Sequence, residues 1–205
     1  MKYNSEKKEL QLGRELSNLD KFVLKFTNIL EKHTYYVIVS GYVSILLGRS
    51  RATEDIDLLV PQIEFEKFKE LWEELGNNNF ECINTSKLEE SFDMLKEHAI
   101  RFIEKGKPTP NIEFKVMKTD LDKYSFDHKI TVFLNGTTLK ISPLELQIAY
   151  KLFLAAEGLD EELKADKDIE DARYLYQLFK EKLNKEEFMI FINKLNVKNK
   201  LKYLK

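Results

Sequence analysis

Asp55 and Asp57 lie two residues apart in an apolar run, Asp55-Ile56-Asp57-Leu58-Leu59-Val60. On an extended strand successive side chains alternate faces, so both aspartates and Leu59 point one way while Ile56, Leu58 and Val60 point the other. Carboxylates held side by side repel each other, and the simplest compensation is a divalent cation with hard oxygen ligands. Upstream, residues 35–39 form an apolar, β-rich run that Ser40-Gly41 breaks before a short helical pattern over 42–47. Backbone N–H groups at such a turn and helix start lack intrahelical partners and suit a phosphate. Arg51, in the loop before the aspartates, is placed to neutralise them or to reach the same phosphate, with a structural ion pair as the alternative. An Asp-x-Asp alone is more often a solvated strand edge. Strand, break, short helix, basic loop and doubled carboxylate in one stretch favour chemistry.

The rest of the chain must position this segment. Residues 6–32 read as a helix, with Leu19, Phe22, Val23, Phe26, Ile29 and Leu30 on one apolar face. Pro61 ends the Asp57 strand, and residues 64–75 form an amphipathic helix closed by Gly76-Asn77-Asn78-Asn79. Residues 80–83 and 99–104 read as strands, 91–98 are ambiguous, and 105–110 form a turn. Residues 112–117 alternate, with Ile112, Phe114 and Val116 toward a core and Glu113 and Lys115 away from it. Asp120 and Asp122 look like the start of a helix. Residues 130–134 and 138–141 flank Asn135-Gly136, a strong hairpin signal, and everything from Pro143 onward is helical in pattern. This order predicts an α/β (α+β) mixed sheet flanked by helices, residues 1–141, with a C-terminal helical lobe, residues 142–205. In that lobe Lys151 falls in the apolar stretch 144–152, where a buried lysine needs a partner and a surface lysine at the helix edge does not. His33, His98 and His128 show no metal-ligand spacing and read as surface or turn residues, and Trp72 as core.

Composition narrows the partners. The 205 residues can bury a proper core, and 33 basic against 35 acidic side chains give no chain-wide attraction to nucleic acid. A polynucleotide contact would need a local patch, such as Lys198, Lys200, Lys202 and Lys205, for which a frayed terminus is the commoner explanation. A lone cysteine, Cys82, excludes an internal disulfide and a cysteine-built zinc site and suits a reducing cytoplasm. The polar N-terminus and the lack of a bilayer-spanning apolar run predict a cytoplasmic protein that does not engage a membrane.

The small-residue pair Ser40-Gly41, the helix after it, the loop Arg51-Ala52-Thr53 and the strand bearing Asp55 and Asp57 resemble the nucleotidyltransferase fold shared with polymerase β. More narrowly they resemble the minimal AbiEii-like nucleotidyltransferases, toxins of toxin–antitoxin systems. That family usually has Gly-Gly or Gly-Ser where this chain has Ser40-Gly41. The resemblance implies that Ser40, Gly41, Arg51 and Thr53 contact an NTP. It also implies that Asp55 and Asp57 bind metal, expected as two Mg²⁺ ions, and two ions need a further carboxylate. Glu113 is the candidate on a neighbouring strand, although the family usually places an aspartate there and Glu113 with Lys115 also fits an ordinary polar face; Asp120 and Asp122 are the fallback. Lys151 and the Lys167-Asp168 pair with Asp171 resemble a second family element, in which the lysine contacts the triphosphate and Asp168 holds that lysine or the nucleotide. An exposed acidic helix over 160–171 is the alternative.

The leading expectation is a metal-dependent nucleotidyltransferase that moves NMP from an NTP to an acceptor hydroxyl, with Asp55, Asp57, Glu113 and Lys151 as the catalytic set. An AbiEii-like chain would act on the 3′ end of a tRNA and have a paired antitoxin. Other members of the fold modify small antibiotics or protein side chains. The competing classes are a nucleotide-binding module that kept the fold and lost the chemistry, and an antitoxin or other partner-binding module of the same fold.

Overall fold

A computed structural model describes residues 1–155 and 166–205. Among the described residues nine strands form one mixed sheet: β1 (Lys2–Asn4), β2 (Glu9–Leu12), β3 (Val37–Val39), β4 (Asp55–Val60), β5 (Phe80–Cys82), β6 (Ile100–Glu104), β7 (Asn111–Val116), β8 (Ile130–Leu134) and β9 (Thr137–Ile141). Their order is β1-β2-β8-β9-β3-β4-β7-β6-β5. The described helices are α1 (Asn18–Leu30), α2 (Gly41–Leu46), α3 (Phe65–Asn77), α4 (Leu88–Glu97), α5 (Asp120–Asp127), α6 (Leu144–Leu154), α7 (Lys167–Phe179) and α8 (Lys185–Lys194), followed by a 3₁₀ turn over Lys198–Leu204. The predicted α/β mixed sheet with helices after residue 143 is the fold observed. No helix among the described residues is long and apolar enough to cross a membrane.

Alternation along β4 and β7 divides the sheet into two faces. Ile56, Leu58, Ile112 and Phe114 are wholly buried on one. There the Phe26 ring of α1 meets Phe80, Phe102 and Phe114 at centroid distances of 5.3, 5.6 and 6.5 Å. Each fully buried aromatic ring contributes about 1.5–3 kcal/mol. Asp57 and Glu113 stand on the opposite face, in register across the parallel β4–β7 pair. The apolar periods of α1 and α3 thus pin the acid-bearing strands from behind and leave their polar face toward α6.

The N-terminus departs from expectation. Residues 6–16, predicted as the start of a long helix, instead include β2, which pairs in parallel with β8, Leu10 opposite Val132. Leu10 is fully buried within Glu9-Leu10-Gln11-Leu12, a two-residue alternation that the longer apolar face downstream obscures. The helix begins at Asn18, where Ser17 and Asp20 form a capping box. The ambiguous residues 91–98 lie mostly in α4. The lysine-rich end is docked, not frayed: Arg173 Nε donates to Tyr203 O and Gln177 Nε2 to Leu204 O, each at 2.7 Å. Lys200 is buried and donates to Ala155 O at 2.8 Å. Residues 160–165 of the acid-rich segment lie outside the described residues.

Candidate active site

The acids of the polar face are answered unevenly. Asp55 is exposed, and its Oδ1 accepts from Asn111 Nδ2 at 2.7 Å across the strand pair. Asp57 and Glu113 are half-buried neighbours. Lys115 lies between them, its Nζ 2.7 Å from Asp57 Oδ1 and 3.4 Å from Glu113 Oε1, and Arg101 NH2 reaches Glu113 at 3.5 Å. Burial alone would lower the Lys115 pKa, but Asp57 and then Glu113 outweigh it and hold the ammonium above the usual lysine value. The fallback residue Asp122 is occupied otherwise, since its Oδ2 accepts from the backbone N–H of Lys118 and Thr119 to cap α5.

Asp57 and Lys115 open onto a cavity of about 320 Å³ between the sheet and α6, lined also by Ser40, Leu146, Gln147 and Tyr150. Ser40 sits at φ 63°, ψ −137°, a conformation that glycine adopts readily and serine does not. Gln147 clamps it: Ser40 N donates to Gln147 Oε1 at 3.1 Å, and Gln147 Nε2 donates to Ser40 O at 2.7 Å. The position filled by serine therefore keeps a glycine-like backbone, supported from α6. A Cβ on Gly41 would stand 3.2 Å from Arg51 NH2, so glycine here lets the guanidinium lie close over the turn.

Arg51 and Lys151 belong to a second, closed cluster. Asp171 of α7, fully buried, accepts from Arg49, from Arg51 NH1 at 2.5 Å and from Lys151 Nζ at 2.9 Å. Lys151, 2% exposed, also lies 2.5 Å from Asp168 Oδ1, and Arg49 bonds Glu170. Lys151 thus has the partner its burial demands, and its ammonium turns toward α7 and not among the residues lining the cavity. Thr53 Oγ1 donates to Asp55 O at 3.0 Å and shapes the entry to β4. The geometry places Asp55, Asp57 and Glu113 on the polar face of β4 and β7, with Asp57 and Ser40 on the cavity wall, and gathers Arg51, Lys151 and Asp168 around Asp171, with Arg51 close over Gly41. Gln147, Asn111 and Arg49 were not singled out from sequence. A polar residue in the otherwise apolar run of α6 was the signal available for Gln147, whereas Asn111 and Arg49 emerge only from strand register and helix docking.

No family model matches the chain, and no curated protein matches it in sequence. Solved structures do. An antigenic nucleotidyltransferase-like protein from Paracoccidioides brasiliensis superposes with a TM-score of 0.53 at 17% identity, over 92% of this chain and 94% of that one. The crystal structure of ANT(2″)-Ia in complex with adenylyl-2″-tobramycin gives 0.55 at 14%, over 88% and 98%. The solution structure of the same antibiotic-resistance factor gives 0.53 at 12%, over 86% and 90%. This chain has a nucleotidyltransferase-like fold. Asp57 and Glu113 share one positive charge, that of Lys115, between adjacent strands, and carboxylate oxygens are the donors a hard divalent cation takes. Among the described residues no three His, Cys, Asp or Glu side chains are already gathered for a metal ion. The two acids are arranged around Lys115 as they stand.

Proposed function

We propose that this protein is a nucleotidyltransferase that moves NMP from an NTP to an acceptor hydroxyl, releasing pyrophosphate, in the cavity between the sheet and α6. The observation that carries the reading is Asp57, in register with Glu113 on the neighbouring strand, facing that cavity beside the Ser40 turn. Asp55, Asp57 and Glu113 would hold Mg²⁺. When bound, the metal supplies charge neutralisation on the phosphates and a lowered pKa for the attacking hydroxyl. Gly41 presents backbone to the triphosphate beside Ser40, whose own N–H and C=O Gln147 occupies and so fixes the turn, and Arg51 lies beside it. Lys151 and Asp168 act by holding α6 and α7 against the loop that carries Arg51. In this reading residues 1–141 supply the acids and residues 142–205 close the nucleotide site from the other side. Catalysis then rests on positioning and charge complementarity.

For the acceptor we propose an RNA 3′ end, as in the AbiEii-like toxins that the signature resembles, with a paired antitoxin as partner and a reducing cytoplasm as setting. Support comes from a second compartment that shares Lys115, Leu121, Asp122 and Tyr150 with the first and adds His98, Lys118 and Phe153. Tyr150 and Phe153 are exposed aromatic rings with centroids 5.7 Å apart, and rings beside cationic side chains suit an unstacked base and its phosphate. The test is incubation with each α-labelled NTP, Mg²⁺, and total RNA or total protein, with Asp57→Asn as control. Label on the 3′ terminus of RNA that needs Mg²⁺ and falls at least about a thousandfold in Asp57→Asn is the expected result. Undiminished transfer by a folded Asp57→Asn protein overturns the reading, and Mg²⁺-dependent label on protein alone overturns the acceptor.

A further inference from the structure

Lys115 lines both compartments of the cleft and bridges the two acids proposed for metal. Its side chain is 35% exposed, so the ammonium can leave the bridge without opening the core. The ammonium lies where a hard cation shared by Asp57 and Glu113 would lie, and two positive charges within about 4 Å of one another repel strongly in a half-buried cleft. A lysine carries its charge on a flexible four-carbon stem. Resting on the reading above, we propose that Lys115 is an exchangeable counter-ion. Without metal it holds Asp57 and Glu113 together; a divalent ion replaces it there, and the released ammonium pairs with a phosphate of the bound NTP. Metal and nucleotide binding are then coupled through one side chain, which neutralises acids in the empty site and phosphate in the filled one. A lysine that merely ties β4 to β7 would hinder metal binding in the same way but would contribute nothing to NTP.

The two roles separate by sign. Mn²⁺ binding is measured by electron paramagnetic resonance, and binding of the α,β-methylene analogues of ATP, GTP, CTP and UTP by calorimetry at saturating Mn²⁺. Lys115→Met should bind Mn²⁺ alone about fivefold more tightly, because a competing charge has gone. It should bind the preferred analogue about tenfold more weakly, because a phosphate contact has gone. Lys115→Arg, which keeps the charge, should retain weak Mn²⁺ binding. Thermal unfolding checks the fold, and Lys115→Gln replaces the Met variant if that one does not fold. Constants that move in the same direction, or do not move, in a folded variant overturn the proposal. If wild-type Mn²⁺ binding is lost in Asp57→Asn while Lys115→Met changes nothing, this inference alone fails. If wild-type protein binds no Mn²⁺, both this inference and the nucleotidyltransferase reading fail.

Discussion

Asp171 and Asp57 are answered in different ways by the same protein. Asp171 is fully buried, and Arg49, Arg51 and Lys151 all donate to its two oxygens. Asp57 is half-buried, faces a cavity and shares one lysine with Glu113. A carboxylate taken wholly out of water has to be saturated, because an unpaired buried charge costs several kcal/mol. One left at a cavity wall does not, and its spare oxygen lone pairs remain available to a ligand. Local charge density alone does not separate the two kinds of acid, since both sites are crowded with opposite charges. Saturation does: it marks the cluster on α7 as the joint between α6, α7 and the Arg51 loop, and leaves the acids of β4 and β7 as the surface on which the proposed function rests.

The sharpest way to break this comparison is to neutralise one acid from each site. Asp171→Asn leaves three cations around a neutral amide in the interior and should cost about 3–5 kcal/mol in chemical denaturation. Asp57→Asn relieves repulsion with Glu113 while losing one half-exposed ion pair, and should stay within about 1 kcal/mol of wild type. Equal losses in the two variants would show that saturation does not distinguish structural from functional acids here.

Asp20 extends the saturated class and gives it a pH signature. It is fully buried at the start of α1 and accepts from Arg14 NH1 at 2.6 Å, Ser17 N and Oγ at 2.7 Å, and Tyr42 OH at 2.7 Å. Burial would raise its pKa, but the hydrogen bonds from Arg14, Tyr42 and Ser17 outweigh that and hold it at about 2, below its ordinary value of 3.8. Because the folded-state pKa is depressed, the stabilisation is fully present above 3.8 and is lost as pH falls from there through about 2. That loss should amount to about 2 kcal/mol, read from denaturation midpoints across the acid range. Asp20→Asn should be less stable at neutral pH and lack this segment of the acid limb. A variant whose acid limb parallels the wild type would remove Asp20 from the saturated class.

How far these sites could be read from sequence follows the range of the interactions that build them. The Asp55–Asp57 alternation, the Glu113–Lys115 face and the Asn135-Gly136 hairpin are local periods, and each is found in place. Long-range pairing is where local reading stops. Nothing within residues 6–16 announces that β2 will pair with β8 more than a hundred positions away, and so the two-residue alternation around Leu10 is hidden behind the helical period that follows it. Lys115 was assigned to the correct face, but its bridge to Asp57 depends on the β4–β7 register. The need of Lys151 for a partner was legible from its apolar neighbours. That Asp171 would answer it together with Arg49 and Arg51 was not, because it takes the docking of α7 to bring them together.

The smallest expected effect lies at the Ser40 turn, where the polar face of the sheet meets α6. Ser40 holds φ 63°, ψ −137°, a region that costs a residue with a Cβ about 1–3 kcal/mol and glycine little. Ser40→Gly removes that strain but adds chain entropy to the unfolded state, so the net gain should be about 1 kcal/mol. The Gln147 amide, bonded to both the N–H and the C=O of Ser40, holds the residue in this conformation against its preference. Gln147→Leu should therefore cost more in wild type than in Ser40→Gly, with a coupling of about 0.5–1 kcal/mol in a double-mutant cycle followed by denaturation. A strictly additive cycle would mean that the clamp does not hold the turn, and that the strain is carried by β3 and α2 on either side of it. A coupled cycle would tie the backbone beside Asp57 to a side chain on the helical side of the cavity.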